Sequence, residues 1–198
     1  MSPEMISAQQ IANELSETPP ASAVSLQMSV DNYLDVIRGV IDLFANKKDM
    51  DVIYVTATIS SDAIKRVLEA LDIDSSRVYF VDCISHIMMG AQSAQQDDHT
   101  TLVESPTMLE NLMLKVEYLI RMSQSKNKLV VIDSINSLAI HNNNWILSEF
   151  LHILVSGLRS REAYTIILSV EEHSTPDINN MVNLVCDHGI HAGKKQEA

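Results

Sequence analysis

At 198 residues the chain suits one domain that buries roughly 70% of its unfolded surface, and its 46% hydrophobic content excludes global disorder. Lys+Arg of 14 against Asp+Glu of 26 leave a net charge of −12. That balance argues against nonspecific binding to nucleic acid or an anionic membrane, both of which require phosphates to be neutralised.

Residues 1–22 stand apart as an N-terminal extension. Ile6, Ile11 and Leu15 make one weak helical stripe, and Thr18-Pro19-Pro20 ends it. A flexible terminus or a docking segment is expected there. From residue 23 the pattern alternates between strand and helix. The runs near 23–28, 51–57, 78–83, 128–134 and 164–171 are short, β-branched and apolar on both faces, as in strands covered by helices on each side. Between them Val30, Leu34, Ile37, Ile41 and Phe44 form one helical stripe, and Ile64, Val67, Leu68 and Leu71 another. Thr107-Met108-Leu109-Glu110 has the form of a capping box opening a third helix. A fourth runs from Trp145 to about Leu158, a short one starts near Asp177, and a last strand is expected near 184–188.

This alternation predicts an α/β fold of three layers with a mainly parallel central sheet, spanning 23–191 and followed by a polar tail at 192–198. Ligands of such sheets bind beyond the carboxyl ends of the strands. Residues 29–32, 57–60, 82–85, 133–134 and 171–173 therefore share one rim. Residues 84–106 form a long polar connection, a length that usually marks a functional loop or a disordered insert.

Leu129-Val130-Val131-Ile132-Asp133-Ser134 carries the chemistry: an apolar strand ends in an acid followed by small polar residues. Together with the strand order, this segment resembles the Walker B strand of RecA-like P-loop ATPases, and most closely their KaiC/RadA-like branch, common in archaea and cyanobacteria. The resemblance extends over most of residues 23–190. It implies ATP hydrolysis, with Asp133 on the magnesium side and Ser134 beside it as residual cofactor-binding residues. The same family surrounds the phosphates with G-x-x-x-x-G-K-[ST] after the first strand. Here Ser29-Val30-Asp31-Asn32-Tyr33-Leu34 follows that strand, with no glycine and no lysine. The family's catalytic acid should fall within Thr56-Ala57-Thr58-Ile59, where no acid stands. No catalytic residue is therefore assigned, and no cofactor is expected beyond residual nucleotide or magnesium.

Glu171-Glu172-His173 offers ligand types for a divalent ion shared with Asp133, so Asp133 and Glu171 are the candidate metal residues. A solvated loop is the plainer account of that run. Cys83 and Cys186 lie on or beside apolar runs and are expected as buried thiols of a reducing compartment, the cytoplasm. Residues 145–155 are apolar around most of a helical circumference, which calls for burial on two sides or contact with another subunit. Trp145, Phe150 and Ile153 are the candidate interface residues. The function these features support is a non-catalytic pseudo-ATPase domain that meets a protein partner or its own copies. The alternatives are a magnesium-dependent nucleotide or phosphoester hydrolase using Asp133 and Glu171, and a sensor that binds a ligand without chemistry.

Overall fold

The computed structural model describes residues 6–89 and 97–193. Seven parallel strands form one sheet: β1 (Ala23–Met28), β2 (Asp51–Thr56), β3 (Val78–Asp82), β4 (Thr100–Leu102), β5 (Lys128–Asp133), β6 (Tyr164–Val170) and β7 (His188–His191). Their order is β4-β3-β2-β5-β6-β1-β7. All residues of β2 are buried, as a strand covered on both faces requires. One layer consists of α1 (Ala8–Glu17), α2 (Tyr33–Ile37) with its π-helical continuation (Arg38–Ala45), and α3 (Ser61–Ala70). The opposite layer holds α5 (Leu109–Met122), α6 (Ile135–His141), α7 (Asn144–Arg159) and α8 (Pro176–Val185). Successive strand residues feed the two cores alternately: Val52 and Tyr54 face the first layer, Ile53 and Val55 the second. No described helix is long and apolar enough to cross a membrane.

Several expectations change. The segment expected to stand apart contains α1, opened by a capping box between Ser7 and Gln10. Ile11 and Leu15 are buried in the first core. Gly39 makes this docking possible. A Cβ on it would lie 2.8 Å from the Ala8 carbonyl oxygen and 3.0 Å from Ile11 Cβ. Residues 1–5 lie outside the described residues. At the other end, Ala192 is fully buried and donates its N–H to the Gln27 carbonyl at 2.7 Å, so the tail cannot begin at 192. Of the tail expected at 192–198, residues 194–198 lie outside the described residues.

Val30 and Leu34 leave the predicted stripe and face solvent, because a 3₁₀ turn at Val30–Asn32 precedes α2 and shifts the phase. The capping box at Thr107 does not form. Met108 is the N-cap, and the Thr107 hydroxyl pairs with that of Ser105 instead. The connection at 84–106 holds α4 (Ser85–Met89) and the edge strand β4, while 90–96 lie outside the described residues. The last strand starts at His188, because α8 runs through Val185.

Candidate functional site

The carboxyl ends of β1, β2, β5, β6 and β7 meet on one rim, and Asp133 lies at its centre. Paired strands fix that position: Thr56 of β2 faces Asp133 of β5, and Tyr54 lies two residues earlier on the same face. Asp133 is 1% exposed. Its Oδ2 accepts hydrogen bonds from the Tyr33 and Tyr54 hydroxyls, each at 2.6 Å. The two hydroxyls are 3.3 Å apart. A longer 3.5 Å contact joins Thr58 Oγ1 to Oδ1. Burial pushes the carboxyl above its ordinary range, and the hydrogen bonds from Tyr33, Tyr54 and Thr58 oppose that shift without cancelling it. Burial, reinforced by the adjacent carboxylate, raises both tyrosines as well, so they remain protonated donors.

Ser134 follows through a cis peptide bond. Its hydroxyl caps α6 by accepting from the Ser137 N–H at 3.4 Å. Thr58, Ser134 and Ser137 form a hydroxyl cluster, with Thr58 and Ser137 2.9 Å apart. The cluster borders a cleft of about 430 Å³ that His173 and Ile178 also line.

The turn after β1 is knitted to itself. Asn32 Oδ1 accepts from the Ser29 N–H at 3.0 Å and the Ser29 hydroxyl at 3.2 Å. The Asn32 amide donates across to the Ala192 carbonyl. Glu172 Oε1 accepts from the Val30 N–H at 3.3 Å. The first backbone donors after the strand therefore already face acceptors of this chain. Glu171 turns toward the end of β7, where its carboxylate fills the space a Cβ on Gly193 would need. No group of three or more metal-ligating side chains converges among the described residues. Asp133 and Glu171 thus belong to no such cluster.

Farther along the rim, Asp82 is fully buried and accepts from the N–H groups of Ser61, Ile84 and Ser85 and from the Ser85 hydroxyl. Burial alone would raise this carboxyl. The hydrogen bonds of Ser85 and Ser61 outweigh it and hold the group below its usual range. Asp82 thereby clasps the start of α3 to the turn after β3. On α7 the three candidate interface residues divide. Trp145 is 74% and Ile153 53% exposed, whereas Phe150 is 6% exposed and packs in the second core. Phe150 is corrected to a core residue, since its position on the helix faces the sheet.

Sequence reading missed Tyr33 and Tyr54; it placed Asn32 and Glu172 on the rim but not as the acceptors that close the turn after β1. One signal was present for Tyr54. A tyrosine in the middle of a doubly covered strand needs an acceptor for its hydroxyl, and the neighbouring strand ends in an acid.

Solved structures that share this architecture include two from one archaeon. The KaiC-like protein PH0186 of Pyrococcus horikoshii OT3 aligns at 16% identity with a TM-score of 0.55, covering 83% of this chain and 68% of that one. A second protein of the same organism, studied as PH0250, aligns at 9% identity with a TM-score of 0.62, covering 94% and 88%. At these identities the likeness speaks to the fold alone. No curated protein matches the chain. The family model "ATPase: KaiC" matches residues 43–198, more than half of the sequence, and with the parallel sheet and the acid ending β5 it shows that the chain belongs to the KaiC family of RecA-like P-loop ATPases.

Proposed function

We propose that this domain is a pseudo-ATPase that does not hydrolyse ATP and works as a regulatory or protein-interaction module. The observation that carries the reading is the closed carboxylate of Asp133, held by Tyr33 and Tyr54 at 2.6 Å each. In a P-loop ATPase that acid orients the magnesium ion of the bound nucleotide. Here both hydroxyls would first have to leave, each giving up a hydrogen bond to a charged group of about 1.5–3 kcal/mol. The turn after β1 supports the same reading. Its amides are engaged by Asn32 and Glu172, and the Glu172 carboxylate repels a phosphate at the position where one would dock. On this reading the rim residues do not fit a magnesium nucleotide, and no catalytic step is derived through one.

The test is thermal unfolding with and without millimolar ATP and magnesium, followed by a turnover assay. A ligand at 100 times its dissociation constant stabilises a fold by about 2.7 kcal/mol, so binding is readily visible. The expected result is no shift and no product. Magnesium-dependent turnover abolished by Asp133→Ala would overturn the proposal. The cleft beside Thr58 and Ser137 favours a second reading, a sensor that holds a small ligand without chemistry. That reading predicts a saturable shift in unfolding temperature with no product formed.

A further inference from the structure

A second cleft, of about 580 Å³, lies at the opposite edge of the sheet, under the amino-terminal ends of β2 and β3 and beside the last turns of α5. We infer that it is a docking pocket for an arginine side chain presented by a basic partner protein. The inference rests on the interaction-module reading and names the chemistry of the partner.

Two tyrosines line the cleft. Tyr79 is held by stacking on His99, with ring centroids 4.8 Å apart and planes 8° from parallel. Tyr118 and Met122, one turn apart on α5, line it too and are 54% and 57% exposed. A cation over a tyrosine face is attracted by the ring quadrupole, and a methionine adapts to its flank.

The charges select the sign of the guest. Arg77 is committed within the cleft, because its Nη1 donates to the Asp49 carbonyl at 2.7 Å and its guanidinium lies 3.8 Å from Asp51 and 3.9 Å from Asp49. Asp51 is anchored in turn by the Ser123 hydroxyl at 2.6 Å. Lys128 spends its ammonium on the Ser125 carbonyl at 2.7 Å. Asp98, which also lines the cleft, has no hydrogen bond or ion pair among the described residues. Among the described residues the cations beside the cleft are therefore engaged while the Asp98 carboxylate stands open, and the group still lacking is a cation. A guanidinium suits this site better than an ammonium, because it stacks flat on tyrosine and pairs with a carboxylate through two N–H groups. The net charge of −12 steers a basic partner toward the domain.

The test is an amide NMR titration of the full chain with the blocked peptide acetyl-Gly-Arg-Gly-amide, against the same peptide carrying neutral citrulline and one carrying aspartate. The expected result is saturating shifts confined to residues 77–79, 98–99 and 118–125 for the arginine peptide alone. Asp98→Asn and, separately, Tyr118→Ala should weaken binding by about threefold or more. Both residues are exposed, so neither variant endangers folding. Equal shifts with citrulline, stronger binding of the aspartate peptide, no saturation by the arginine peptide, or unchanged affinity in Asp98→Asn would each overturn the inference. The titration contains no nucleotide, so ATP turnover reports on the pseudo-ATPase reading separately.

Discussion

Replacing Tyr54 by phenylalanine removes one of the two hydroxyls on Asp133 while leaving the shape of the core intact. Tyr54 is fully buried, so water cannot take the vacated place. The loss is that of a hydrogen bond to a buried charged group, about 2–3 kcal/mol. For a chain of this length each kcal/mol lowers the unfolding midpoint by about 2–4 °C, so a fall of roughly 4–12 °C is expected near neutral pH. Tyr33 is only half-buried, and Tyr33→Phe should cost less because solvent can reach its site. The pH dependence separates this mechanism from a packing defect. The Asp133 carboxyl is raised in the folded state, so its contribution is fully present below the unfolded value and is lost as pH rises through the folded value. Removing a donor raises the folded value further, so the defect of Tyr54→Phe should shrink as the medium is acidified toward pH ~4. In the Asp133→Asn background the hydrogen bond is neutral, and Tyr54→Phe should cost only about 1 kcal/mol. Scanning calorimetry of the four proteins at two pH values measures all of this. An equal loss at both pH values and in both backgrounds would refute the reasoning.

Asp82→Asn should destabilise by about 2–3 kcal/mol in urea unfolding, since an amide cannot accept all four hydrogen bonds of the clasp. The Asp82 carboxyl is lowered in the folded state, so its stabilisation is present above the unfolded value and lost as pH falls through the folded one; the cost of Asp82→Asn should fade in acid. Gly39→Ala places a Cβ against Ala8 and Ile11 and should loosen α1 ahead of the sheet, read as faster amide hydrogen exchange in residues 8–17 than in β2. Ile153→Asp should leave the unfolding midpoint nearly unchanged and dissociate any assembly built on the outer face of α7. Light scattering showing the same mass for wild type and variant would remove that face as an interface. Phe150→Asp should instead unfold the domain, because it buries a charge in the second core.

The strands were legible where composition and covering agree. Residues 51–56 and 128–133 are β-branched on both faces, as strands covered by helices on each side require. β4 is three residues at the sheet edge, too short to carry a period. β7 was displaced because Leu184 and Val185 are apolar and continue α8, while the strand itself reads His-Gly-Ile-His. The docking of α1 depends on a gap opposite it at Gly39, which no residue of α1 reveals. Asp133 stood out because it ends an apolar strand. Its seal was only half legible: Tyr54 in a covered strand called for an acceptor, while nothing marked Tyr33, which reaches Asp133 from a separate segment. The contacts of Asn32 and Glu172, though not their place on the rim, were hidden because each reaches across to a distant segment.

The place of β1 has a consequence for how the chain is made. Ala23 pairs with Thr165 and Val24 with His188, so the first strand finds its neighbours roughly 140 residues or more after its own synthesis. At 5–20 residues per second a ribosome needs on the order of 10 s or longer to deliver β6. During that interval β2, β3 and β5 can pair among themselves, while β1 waits with both edges open. Such an edge is where a nascent chain recruits a chaperone or sticks to a neighbour. β7, the last of these seven strands to emerge, is therefore the one that finishes protecting β1.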